Sequence, residues 1–214
     1  MKSKRIVAAS GGAMMLAAAA LSGGLTAGSA SASYGHGTEV RANLHSLNDS
    51  GVRGYASVRS HHRDLDVKVH AHGLAENLPH AQHIHYGAQA RHECPTFHAD
   101  DNGDFRLNVA EGVPDYGPIA VSLTKRGDTS PASGLAVDRF PTAPRGHIHY
   151  DRQTRTERAV ARAIRRGEGV VVIHGIDYND NGKYDFGSAG ASELNAALPA
   201  EATDPAACGV LERH

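Results

Sequence analysis

Histidine is the residue type best placed to do chemistry in this chain, at fifteen of 214 positions. His80, His83 and His85 fall inside Gly-Leu-Ala-Glu-Asn-Leu-Pro-His-Ala-Gln-His-Ile-His-Tyr-Gly, residues 73–87. If Gln82 to Tyr86 is extended, alternate side chains share a face, so His83 and His85 point the same way with Ile84 opposite. Two imidazoles one pleat apart, roughly 7 Å along the strand, can converge on one metal ion. The His-x-His pattern recurs at His70/His72 and, in a second His-Ile-His-Tyr, at His147/His149. His70/His72 lie on the polar side of an alternating run and His61-His62 at a turn, so solvated surface is expected for both. For His147 and His149 three roles stay open: joining the His83/His85 site, forming a second site, or facing water on an edge strand. The last is the expectation, because nothing nearby in sequence completes a site.

Hard oxygen ligands offer a different chemistry at two places. In Asp100-Asp101-Asn102-Gly103-Asp104-Phe105-Arg106-Leu107-Asn108-Val109-Ala110-Glu111, oxygen-bearing residues occupy positions 1, 3, 5, 9 and 12 of a calcium loop. Asp100, Asn102, Asp104 and Glu111 are the candidate ligands there, although Phe105 stands where a glycine is normally needed. The second candidate set is Asp177, Asn179, Asn181 and Asp185, which keeps the glycine as Gly182 but has Ser188 at its twelfth position. Each stretch also reads as an Asp/Asn/Gly-rich hairpin turn without metal. Gly182, which permits the sharp turn, makes the second the better candidate for Ca²⁺.

The elements that must position these residues read as strands. Glu39–Leu47 alternates Val40, Ala42, Leu44 against Arg41, Asn43, His45 and ends at the turn Asn48-Asp49-Ser50-Gly51. Val52–Arg59 reads as its partner, and Leu65–Ala71 alternates again before Gly73. Such spacing of short strands points to an all-β sandwich or barrel. Further strands are expected at Phe105–Val109, Ile119–Thr124 and Leu135–Phe140. The continuous apolar run Val170-Val171-Val172-Ile173-His174 reads as a buried central strand, and Ala206–Leu211 as a last short one. Thr156–Gly167 is the one short surface helix. The tail from Ala189 to Pro205 reads as loop.

Composition bounds the partners. Lys2, Lys4 and Arg5, the apolar and small-residue run to about Gly28, and Ala30-Ser31-Ala32 fit a cleaved secretory signal peptide, residues 1–32. No cysteine near that site offers a lipid anchor, so a secreted, extracellular single domain at residues 33–214 without a membrane span is expected. Removing the three basic residues and no acid turns a formal charge of −1 into −4. That balance, with no Trp, argues against nucleic acid and anionic membranes as partners. Cys94 and Cys208 in an exported chain are expected to form a disulfide, worth about 4–5 kcal/mol for so long a loop. Free thiols or two soft metal ligands are the alternatives.

Three islands in order resemble Cu/Zn superoxide dismutases. Gly73-Leu74 with His80-x-x-His83-x-His85 and Gly87 is similar to that family's copper-binding strand, and Cys94 follows His85 by nine positions, as its loop cysteine does. Val171-Val172-Ile173-His174 resembles the strand bringing another copper ligand, and Ala207-Cys208-Gly209-Val210-Leu211 the C-terminal strand whose cysteine pairs with the loop cysteine. The resemblance implies a Greek-key β-sandwich or barrel, copper on His83, His85 and His174, a structural role for His80, a Cys94–Cys208 disulfide, and superoxide as substrate. It offers only His98 for the metal-bridging position, two residues early. It supplies no zinc cluster, so zinc is not expected, and Pro205 stands where the superoxide-guiding arginine would be. The middle of the chain, with Tyr116-Gly117-Pro118 and Ser130-Pro131-Ala132-Ser133-Gly134, resembles secreted bacterial proteins with a CHRD (chordin-type) domain. That likeness implies the alternative: a non-enzymatic module, held by the disulfide and Ca²⁺ loops, that binds a cell-surface partner.

Overall fold

A computed structural model of the chain describes residues 37–213, so the signal-peptide reading lies outside the described residues. The three alternating runs form β1 (Thr38–Ser46), β2 (Arg53–His61) and β3 (Asp64–His72), paired as consecutive antiparallel neighbours. Asn48 and Asp49, both at φ 51°, turn β1 toward β2, a left-handed conformation that Asn and Asp tolerate. There follow β4 (Gln82–His85), β5 (Ile119–Ser122), β6 (His147–Arg155), β7 (Val170–His174), β8 (Pro205–Val210) and β9 (Glu212–Arg213). The hydrogen-bonded order is β5-β4-β7-β8-β1-β2-β3-β6, with β9 on β1, and every ladder is antiparallel.

This sheet curls into a half-barrel. One face of each of the eight strands on that path supplies a single core, including Leu44, Val58, Val67, Ile84, Val121, Ile148, Ile173 and Ala207. A period-2 strand has only one face to give to a core, so the other face of the sheet must be either covered or wet. The outer strands β5 and β6 share no ladder among the described residues, but side chains bridge them. Tyr150 donates its hydroxyl to the Thr124 carbonyl at 3.2 Å, and Arg152 donates to the carbonyls of Thr124 and Gly127, both at 2.6 Å.

The helical content exceeds the single expected helix. That helix, α2 (Arg158–Arg166), ends at Gly167 with φ 91°. Phe105–Val109 is not a strand: the chain runs irregularly into a further helix, α1 (Val109–Tyr116). The reason is a capping box. Asn108 Oδ1 accepts from the Glu111 N–H at 3.1 Å while Glu111 Oε2 accepts from the Asn108 N–H at 2.9 Å. Leu135–Phe140 is likewise no strand but carries a 3₁₀ turn at Val137–Arg139. The tail read as loop holds a one-turn helix, α3 (Ala200–Thr203). No helix among the described residues is long and apolar enough to cross a membrane.

These additions all serve as cover. The outward face of β4, β7 and β8 presents His83, His85, Val170, Val172, His174 and Cys208, all buried. Residues from α1, from the stretch after β5 and from the α3 segment lie over it. A disulfide joins Cys94, in the irregular segment between β4 and α1, to Cys208 on β8, with Cα atoms 5.7 Å apart.

Candidate metal centre

His83 and His85 come from β4 and His174 from the end of β7. The register sets His83 opposite Val172, and the His174 N–H donates to the Ala81 carbonyl at 2.8 Å, so His174 stands diagonally across from His83 on the same face. The ring centroids lie 5.5 Å (His83–His85), 5.1 Å (His83–His174) and 6.0 Å (His85–His174) apart.

Each imidazole gives one nitrogen to a backbone carbonyl: His83 Nε2 to Gly134 at 3.1 Å, His85 Nδ1 to Gly117 at 2.8 Å, His174 Nδ1 to Thr203 at 2.6 Å. A carbonyl only accepts, so each of these nitrogens carries the proton and the other keeps a lone pair. The remaining atoms, His83 Nδ1, His85 Nε2 and His174 Nε2, are buried and have no hydrogen-bond partner. One nitrogen from each ring lies within 4.8 Å of the others. Buried polar atoms are nearly always satisfied. Three clustered rings, each with a buried unpartnered nitrogen and the other nitrogen fixed by a carbonyl, could hold a metal ion as ligating histidines with a supporting shell do.

Burial disfavours the imidazolium form at all three positions. It lowers His83 well below the usual histidine value with help from His174 and His85, and brings His85 to about 3 and His174 to about 4. The rings are therefore neutral near pH 7, as ligands must be. Packing fixes them further. The Tyr116 ring sits 4.5 Å from that of His85, its hydroxyl donating to Val109 O at 3.1 Å, and the Phe140 ring lies edge-on to His83 at 5.3 Å. His80 is buried with Nδ1 2.9 Å from the His174 carbonyl and Nε2 3.0 Å from that of Ala75, tying the end of β7 to the start of β4. Gly175 has φ 105°, and a Cβ there would lie 2.2 Å from Tyr184 Oη and 3.0 Å from His80 Nδ1, so the chain leaves β7 where only glycine fits.

Above the three rings is a cavity of about 30 Å³ lined by Val109, Ile119, Leu135, Val137, Leu194 and Leu198. It has room for an ion and a water-sized ligand. No Lys, Arg, Asp or Glu lines it among the described residues.

The other expected ligands lie apart from this group. His98 is exposed on a 3₁₀ turn, beside a hollow shared with Arg91, Cys94 and Glu111. In the first calcium reading, Asp100 accepts from the N–H groups of Gly103 and Phe105, Asn102 from that of Asp104, and Asp104 from Arg106. Glu111, its expected twelfth ligand, closes the α1 capping box. In the second, Asp177 accepts from the N–H groups of Asn181 and Gly182, and Asn181 Nδ2 donates to Asp185, which also accepts from Gly187 N–H and pairs with Lys183. Asn179 is exposed. Both stretches are folded as turns whose oxygens already hold local donors. His147 and His149 do not join the buried trio; they face His72 and His70 across the β3–β6 ladder.

Sequence reasoning missed the parts played by Tyr116, Phe140 and the carbonyls of Gly117, Gly134 and Thr203. The nearest signals were the glycine-bearing stretches Tyr116-Gly117-Pro118 and Ser130–Gly134, which supply two of those carbonyls. In comparisons with known proteins, the chain matches no protein-family model and no curated protein.

Proposed function

We propose that this is a secreted copper-binding protein of the Cu/Zn superoxide dismutase-like kind, holding one ion on His83, His85 and His174. The observation that carries this reading is the convergence of three buried, unpartnered imidazole nitrogens. Neutral imidazoles accept copper in both oxidation states and also zinc; the Irving–Williams order favours Cu²⁺ over Zn²⁺ at such a set. Bound there, copper would supply one-electron redox chemistry. The chain's own contribution is to hold three lone pairs in place, exclude bulk water with the apolar cover, and keep the rings neutral.

The strand order supports the dismutase-like resemblance. β3 pairs with β6, leaving β4 and β5 at the other end of the path, and β1 pairs with β8; long returns of this kind are compatible with a Greek-key arrangement. Copper retention fits the cavity better than rapid superoxide turnover. An anion entering an apolar mouth gains no local attraction when no cation among the described residues lines it, and Pro205 stands where the family has its guiding arginine.

The reading is tested on the exported chain, reconstituted with Cu²⁺, by metal analysis and a superoxide assay. We expect one tightly held copper per chain and slow dismutation. Wild-type protein without stoichiometric copper, or His83→Ala that binds it as tightly as wild type, would overturn the assignment.

A further inference from the structure

The antiparallel register of β3 and β6 sets His70 directly opposite His149 and His72 directly opposite His147. Two His-x-His motifs far apart in sequence thereby become a square of four imidazoles on one face of the sheet. It is the outward face, because the alternating neighbours Val69, Ala71, Ile148 and Tyr150 are buried in the core. His72, His147 and His149 are exposed and His70 is half-buried.

The pair His70–His149 is already close. Their Nδ1 atoms stand 2.7 Å apart, one ring donating its N–H to the lone pair of the other. Two imidazole nitrogens on one ion, each roughly 2.0–2.1 Å from it, stand about 2.9–3.4 Å apart in square-planar or tetrahedral geometry. A few tenths of an ångström therefore separate the proton-bridged pair from a metal-bridged one. The Tyr55 ring stacks on His70 at 4.7 Å and 19°, restricting that ring before any ion arrives. The His72 and His147 rings, with centroids 6.2 Å apart, sit one pleat along on the same two strands. The surrounding charge is mixed. Lys68 pairs with Asp151 beside the His70 end, while Arg53 faces His72 from β2. A groove of about 540 Å³ opens the patch to solvent between β1 and β6.

We propose that His70 and His149, completed by His72 and His147, form a second, solvent-open site for a divalent transition-metal ion of the Cu²⁺/Zn²⁺/Ni²⁺ class. Binding takes the place of the hydrogen bond in the His70–His149 pair: the donating ring exchanges its proton from Nδ1 to Nε2 through solvent, so both Nδ1 lone pairs face the ion and neither neutral ring changes charge. The site is weaker and faster to exchange than the buried trio, because its ligands are free to turn and no cover excludes water.

Calorimetric titration of the exported chain with Cu²⁺ and with Zn²⁺ tests the proposal, using the double variant His70→Gln/His149→Gln beside His83→Ala. The double variant is expected to lose one weaker equivalent and keep any tight one; His83→Ala is expected to keep the weaker equivalent. If the buried trio binds nothing, the weaker equivalent should remain in wild type, so failure of the copper reading and failure of this one give different traces. In His83→Ala, substoichiometric Cu²⁺ should broaden the NMR signals of His70, His72, His147 and His149 together. A double variant that retains the weaker equivalent, or broadening spread over unrelated histidines, overturns the site. Should that variant not fold, as judged by its melting in metal-free buffer, His72→Gln/His147→Gln carries the same expectation with a smaller loss.

Discussion

Two strand pairs in this sheet carry outward-facing histidines on His-x-His spacing, and their surroundings differ. On β4 and β7 the outward face is roofed by α1, the stretch after β5 and the α3 segment, so His83, His85 and His174 are buried. On β3 and β6 the same face is bare, and His70, His72, His147 and His149 meet water. The covered rings each have one nitrogen fixed by a carbonyl and one buried without a partner. The bare rings have each other. Similar histidine spacing thus yields a fixed, covered cluster in one place and an adaptable, wet patch in the other. What separates them is loop sequence lying far from the motifs.

The sharpest way to break the contrast is to loosen the roof. Cys94→Ser with Cys208→Ser should lower unfolding free energy by about 4–5 kcal/mol, the chain-entropy value for a loop of 114 residues. Urea denaturation reads this directly, and an unchanged midpoint would show that the covering is held by packing alone. Next in size is ligand loss. His174→Ala should weaken Cu²⁺ binding at the buried centre by more than about 100-fold, the upper end of what supporting-shell changes alone cost, whereas His149→Ala should leave that tight equivalent intact. Competition with a copper chelator separates the two, and equal losses would mean that the covered and bare histidines act as one site.

Acid should act on the covered side through the fold itself. An unfolded imidazole takes up its proton near 6.5, while folded His174 waits until about 4 and His85 until about 3. Between those values the unfolded chain binds more protons, so stability of the metal-free protein should fall as pH drops from about 6.5 through 4. Melting temperature against pH measures this, and His85→Gln should flatten the slope; a wild-type curve flat over that range would contradict it. Smallest is the cap of α1: Asn108→Ala should cost about 1 kcal/mol, with a corresponding drop in the urea midpoint and retained, though looser, metal binding. A change under a few tenths would mean the roof does not depend on that helix start.

Legibility followed the same divide. The alternation of Val40, Ala42 and Leu44, and of Leu65, Val67, Val69 and Ala71, made the strands readable because a half-buried strand writes its burial at period 2. The continuous run Val170–His174 likewise announced a strand buried on both faces, and the two cysteines their disulfide. The roof was harder. Asn108-x-x-Glu111 is a capping-box signal, yet Glu111 also fits the last place of a calcium loop, and Pro114 inside α1 argues against a helix. Phe105–Val109 and Leu135–Phe140 look like strands by residue type but are placed by tertiary packing. The facing of His70 with His149 depends on the β3–β6 register, which no local pattern encodes.

The position of β1 has a consequence for the order in which the molecule is made. Its neighbours are β2 on one side and, on the other, β8 and β9, which run to Arg213. The hairpins β1–β2–β3 can close as soon as they emerge, but the sheet gains continuity only when β8 arrives to join β7 to β1. Contacts so distant in sequence form slowly. A chain stopped before β8 would carry every histidine discussed above while lacking the strand that flanks β7 and anchors the loop cysteine. Capture of an ion at the trio would thus wait for β8, and holding one there would be a sign that β8 has been made and has taken its place beside β7.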